Sequence, residues 1–164
     1  MYVQLSAGGW TNAASFQLRG PRLEPAAVTR ALGIEPSLTA TRGEPRTRDP
    51  ARTYRTGAWS LKSEPVLSRV DDHLDDHLRW LLDQLEPRAQ QLRAVVAEQE
   101  LGAEFWCVIS MESANVDLEL QPETVGRVGA LGALRLDIYA PEDVEPESIE
   151  IPEPGATRDP SDPD

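Results

Sequence analysis

Between Leu67 and Glu86 the apolar residues Val70, Leu74, Leu78, Leu81 and Leu85 recur at steps of three and four, which is one stripe on a 3.6-residue helix. Asp72, Asp75, Asp76, Arg79 and Asp83 fall on the opposite side, where water can reach them. Ser68 is placed to cap this helix, and Asp71 and Asp72 sit in a first turn that favours acids. Pro87 then breaks or redirects the run. The pattern predicts a long amphipathic helix covering one face of a flat apolar layer.

The rest of the chain supplies that layer. Tyr2–Leu5 and Ala14–Leu18 alternate around Gly8-Gly9 and predict a hairpin or one bulged edge. LEPAAVTRALGIEP predicts a short helix with Pro25 at its first position and Leu23 stapled onto Val28. Gly33 is placed to end it in the left-handed conformation, with Ile34 folding back. AWSLKSE predicts a strand with Trp59 and Leu61 on one face. A second helix is expected from Pro87 to about Gln99, stopped at Gly102, with Leu92, Val95 and Val96 inward. In AEFWCVISMES, Phe105, Cys107, Ile109 and Met111 alternate with Trp106 and Val108, which predicts a central strand. Asn115 should turn that strand into a hairpin with Val116, Leu118 and Leu120. PETVGRVGALG predicts a further short helix, and ALRLDIYAP a closing strand with Leu134, Leu136 and Ile138 on one face.

Helices set between hairpins predict an α+β two-layer sandwich, its sheet mostly antiparallel and its helices on one face. LEPAAVTR and LQPETVGR share Leu, Pro, Val and Arg at the same offsets. Two halves of a duplicated strand–helix–strand unit would show this, although shared rules for starting a helix account for most of it. The succession LEPAAVTRALGIEPS, TRGE, AWSL, DDHLRWLLDQLEP and LGALRLDIY resembles a bacterial family catalogued as domain of unknown function 4279. The resemblance spans about Ala14 to Ala140 and implies one compact bacterial domain. It implies no activity, because the shared motifs are structural.

Charge changes the picture only once it is located. The net charge is −12, but PEDVEPESIEIPEPGATRDPSDPD, residues 141–164, holds nine acids, one arginine and six prolines and accounts for −8. Such a segment buries too little apolar surface to offset the entropy of ordering it. The expectation is a single domain over residues 1–140 followed by a disordered acidic tail. The body is then nearly neutral and lacks the general basic field that nucleic acid needs. No apolar run is long enough to span a bilayer, and the N-terminus lacks the pattern of a signal peptide. Cys107 is alone, which excludes an internal disulfide and fits a reducing cytoplasm.

Four groupings can carry chemistry. The best is the polar stretch from Leu38 to Arg55, where Arg42, Arg46, Arg48, Arg52 and Arg55 face only Glu44 and Asp49. Pro45 and Pro50 predict a long exposed loop here. Guanidinium forks bind phosphate or carboxylate, and Tyr54 and Trp59 are near enough in sequence to stack a ring. The plain alternative is a mobile loop pairing loosely with the acidic tail. His73 and His77, four apart on the long helix, can share a zinc ion. They lack further histidine ligands, so packing beside Trp80 is the expectation and no metal is assigned. Cys107, in an apolar strand, is expected to be an inert thiol. Glu112, Asp117, Glu119 and Asp137 fall on neighbouring predicted strands, but alternation turns them to solvent. No catalytic residue and no cofactor follow from this. The leading expectation is a non-catalytic cytoplasmic module that binds a protein partner, for example a partner-neutralising protein of the immunity kind. The alternative is a small enzyme or a nucleotide- or anion-binding domain using residues 42–55. That alternative would also use the open face of the sheet; a flat, continuous sheet face would favour the first reading, and a buried arginine-lined cleft with perturbed acids the second.

Overall fold

The computed structural model describes residues 10–47, 49–67, 72–111 and 118–139. The expected first strand at Tyr2–Leu5 and the acidic segment 141–164 lie outside them. The Ala14–Leu18 alternation is the middle of a long strand, β1 (Trp10–Gly20). It is followed by α1 (Pro25–Leu32), β2 (Leu38–Ala40), β3 (Pro45–Arg46), β4 (Asp49–Thr53) and β5 (Gly57–Lys62). Then come α2 (Leu74–Leu85), a 3-10 turn (Glu86–Arg88), α3 (Ala89–Gln99), β6 (Gly102–Met111), α4 (Pro122–Leu131) and β7 (Ala133–Tyr139). The main sheet has five strands in the order β2-β5-β1-β6-β7, antiparallel except for the parallel β6–β7 pair. This is the expected α+β architecture.

Cross-strand register sorts the side chains into two faces. Phe16 lies opposite Leu61 on one side and Phe105 on the other, and Leu18 lies opposite Trp59. With Ala14, Cys107 and Ile109 they form the inner face, where helix residues Val28, Leu32, Leu78, Leu81, Leu82, Leu85, Leu92 and Val128 pack on them. Phe16 and Phe105 meet with ring centroids 5.0 Å apart and tilted by 59°, within the preferred range for aromatic pairs. All four α-helices among the described residues contribute to this one core, so no described helix covers the other face of the sheet.

The short helix follows its expected rules. Pro25 starts α1, Leu23 and Val28 are both buried, and Gly33 closes it at φ 62° with its N–H donating to the Thr29 carbonyl at 2.8 Å. Pro122 starts α4 in the same way. Beyond that the two matched segments diverge. Val28 is fully buried, while its counterpart Val125 is 47% exposed. Arg30 is exposed, while Arg127 bridges Asp83 and Glu86 at 2.7–2.8 Å. The two segments share their helix-starting chemistry, and the matched positions beyond it do different work.

Three expectations need correction. The long helix does not begin near Leu67: α2 starts at Leu74, because His73 is extended at its N-cap and Asp76 reaches back to accept the His73 N–H at 3.3 Å. The expected cap Ser68 and the stripe's first member Val70 lie outside the described residues. Asp75 is not hydrated but buried, accepting the Gln121 N–H at 3.0 Å just ahead of α4. α3 ends at Gln99 as expected, although its left-handed cap is Glu100 at φ 54° rather than a glycine. Finally, residues 118–120 form no strand. Both edges of β6 are taken, by β1 and by β7, so no ladder is left for a hairpin partner, and Leu118 and Leu120 pack on the core instead.

Candidate interaction surface

The stretch expected to be an irregular loop is a β-ribbon. β3 and β4 pair antiparallel with each other and form a sheet separate from the main one. Two further bonds extend the ladder toward the body: Tyr54 N–H to the Glu44 carbonyl and Gly43 N–H to the Tyr54 carbonyl, each 2.9 Å. Gly43 sits at φ 88°, a conformation that favours glycine. Pro45 and Pro50 are tolerated because a two-stranded ribbon has outer edges that need no N–H donor. The ribbon joins β2 to β5 at one end of the main sheet.

Every described residue from Thr41 to Thr53 is exposed, so Arg42, Arg46 and Arg52 are displayed to solvent, as is Arg55 beyond them. Arg48 lies outside the described residues. The Arg46 guanidinium carbon lies 5.8 Å from the centroid of the Tyr54 ring, a cation–π contact. The ribbon's two acids are engaged locally: Asp49 with Arg52 at 3.4 Å, and Glu44 with the Thr41 N–H at 3.1 Å. Among the described residues, Arg42, Arg46 and Arg55 have no ion pair. Trp59 does not join this group. It is fully buried on the inner face, and its indole N–H donates to Thr29 Oγ1 at 3.1 Å.

The outer face of the sheet carries a polar network that the sequence reading did not assemble. Across β1, Arg19 Nε donates to Gln17 Oε1 at 3.0 Å, and Gln17 Nε2 donates to Ser15 Oγ at 3.0 Å. Arg19 also lies 3.8 Å from Glu104 on β6. On β6 and β7, Trp106 Nε1 donates to Asp137 Oδ2 at 2.8 Å. Arg135 grips the same carboxylate with two bonds of 3.0 and 3.1 Å and lies 5.6 Å from the Trp106 ring centroid. The Arg135 guanidinium and then the Trp106 N–H hold the Asp137 carboxyl below the usual carboxylate range. A carboxylate so stabilised is a poor proton acceptor near neutral pH. The signal was available: strand alternation sets Arg135 and Asp137 opposite Leu134, Leu136 and Ile138, just as it sets Trp106 opposite Phe105 and Cys107. What the sequence does not reveal is that β6 and β7 are adjacent.

The remaining candidates separate in space. His77 is fully buried, with Nδ1 2.7 Å from Ser63 Oγ, while His73 is exposed at the start of α2. Cys107 is fully buried, and desolvation pushes its thiol up to about 12. Glu119 is exposed and accepts a bond from Gln121 Nε2 at 3.1 Å, whereas Glu112 and Asp117 lie outside the described residues. Among the described residues no three His, Cys, Asp or Glu side chains gather as a metal site would require, and no helix is long and apolar enough to cross a membrane. A depression of about 450 Å³ between α1 and α3 is lined by Ala27, Ala31 and Ala94 between Arg22 and Glu98. None of the residues proposed from sequence reaches it.

Comparison with known proteins fits the motif order already described. The sequence model of a family described as a domain of unknown function, DUF4279, matches residues 10–141. No curated protein and no solved structure gives a match.

Proposed function

The chain belongs to the DUF4279 family, whose description assigns no activity, and from the geometry we propose that it is a non-catalytic binding module that engages an acidic protein partner through its arginine ribbon. One observation carries this reading: Arg42, Arg46 and Arg55 are presented to solvent on a folded two-stranded scaffold without an ion pair among the described residues. A scaffold lowers the entropy lost when guanidinium forks meet carboxylates. Masking an acidic surface of another protein, as an immunity-type protein does, is the role this arrangement suits. A reducing bacterial cytoplasm belongs to the same reading, supported by the single cysteine kept as a buried thiol.

The test is capture from extracts of the native host, using the full-length chain and the doubly charge-reversed variant Arg46→Glu with Arg52→Glu as parallel baits. An acidic protein retained by the first and lost by the second supports the reading. A partner retained equally by both removes the ribbon from the interface.

A further inference from the structure

Among the described residues the outermost strand, β7, is paired only on its β6 side, so its other edge presents backbone donors and acceptors to a further strand. Open edges of this kind are normally protected by proline, lysine, a bulge or very short length. β7 runs for seven residues, ALRLDIY, without proline, lysine or a bulge against β6, and its two charges, Arg135 and Asp137, are bonded to each other within the chain. Leu136 is 39% exposed, and Ile138 and Tyr139 are each 55% exposed. The opposite edge, β2, is three residues long. The two edges of the sheet are therefore unequal, and the apolar one is the long one.

We propose that β7 pairs antiparallel with β7 of a second copy of this chain, across a two-fold axis at Leu136, giving one continuous sheet. The strand's own sequence selects both occupant and register. Residues directly opposite each other in an antiparallel pair share a face. Registers that set Arg135 against Leu136 are excluded, because those side chains point to opposite faces. With the axis at Arg135 the two arginines oppose each other, and with the axis at Asp137 the two aspartates do. With the axis at Leu136, each Arg135 faces the Asp137 of the second copy. Leu134 then faces Ile138, Leu136 faces Leu136, and all seven residues are paired, because Leu136 is the strand's midpoint. The seam alternates charge on the outer face and covers the exposed Leu136 and Ile138 on the inner one. Such an interface is isologous and closes at two copies. It leaves the ribbon, at the far side of the sheet beyond β5, free to act separately.

The experiment is sedimentation of the full-length chain over a concentration series reaching about 0.5 mM, with circular dichroism to verify each variant's fold. The wild type should shift with concentration from 18.1 kDa toward twice that mass. Ile138→Lys, at an exposed position, should stay monomeric. Arg135→Asp and Asp137→Arg should each stay monomeric alone, since each sets like charges opposite each other. Mixed together, these two variants should recover the dimer, because every facing pair is again of opposite sign. A wild type that remains monomeric throughout overturns the proposal. So does a dimer indifferent to all three substitutions, which would use another surface. Hydrogen exchange showing, in the monomer, protection of the β7 amides that point away from β6 also overturns it, since another part of the same chain would then occupy the edge.

Discussion

Trp106 on β6 and Asp137 on β7 are joined by a 2.8 Å hydrogen bond from the indole N–H to Oδ2, on the face of the sheet opposite the helix-covered core. Arg135 holds both, by its paired bonds to the carboxylate and its position over the indole. The trio locks the outermost strand to its neighbour from the solvent side while Leu134 packs against the core on the other.

Because the folded protein holds the Asp137 carboxyl below its ordinary value of 3.8, its contribution to stability has a defined pH window. It is present above the ordinary value and is lost as pH falls through the lower folded value. The wild type should melt higher than Asp137→Asn near neutral pH, and the gap should narrow below about pH 4. Melting temperatures of both proteins from about pH 7 down to pH 2 test this. A gap that does not change with pH would show that the carboxylate's charge contributes nothing.

The stripe on α2 makes a second prediction. Leu78 and Leu81 are fully buried, so truncating either to alanine should cost about 2–5 kcal/mol in denaturant unfolding. Asp75→Ala should cost about 1 kcal/mol, because it removes the acceptor for the Gln121 N–H at the start of α4. Arg93→Ala, at an exposed site on α3, provides the neutral comparison.

Ser63 and His77 form a buried polar contact at 2.7 Å, and Ser63 Oγ also donates to the Ala14 carbonyl at 2.9 Å. Ser63→Ala should destabilise by about 1–3 kcal/mol, the range for leaving a buried polar group without one of its partners. Ser63→Thr, which keeps the hydroxyl, should recover part of the loss. An Ala variant as stable as the wild type would show that this contact is energetically idle.

Cys107 offers a chemical readout of the same core. A thiol pushed up to about 12 by burial is almost entirely protonated at pH 8 and reacts slowly. Labelling by a thiol reagent should therefore be negligible in the native state and complete in denaturant. Rapid labelling of the native protein would show that the β6 core face is accessible.

Much of this was legible from periodicity. The alternation of Phe105, Cys107 and Ile109 and the spacing of Leu74, Leu78, Leu81 and Leu85 each encode one buried face, and both faces stand where the pattern set them. Pro25 and Gly33 bound α1 by local rules alone. Position in the sheet was not legible. Leu118 and Leu120 alternate like a strand, yet a strand needs a free edge to pair with, and β7 already occupies the one beside β6. Asp75 and His77 read as polar positions flanking the stripe, but α4 and Ser63 approach them in the folded chain and bury them. Of the proposed site residues, Arg46 meets Tyr54 on the ribbon, and Arg42, Arg52 and Arg55 are exposed along or beside it. Trp59 was drawn in by sequence proximity alone, and the alternation of β5 turns it into the core.

The most direct measurement of the central claim is the affinity of the captured acidic partner for the full-length chain and for Arg46→Ala with Arg52→Ala, at about 50 mM and 150 mM salt. Exposed ion pairs contribute about 0–1 kcal/mol each. The double variant should therefore bind more weakly, by up to about thirty-fold at low salt. The wild type should lose affinity as salt rises, and the difference between the two proteins should shrink. Equal affinities at both salt concentrations would contradict the account, and would leave the ribbon as an ordinary solvated connection between β2 and β5.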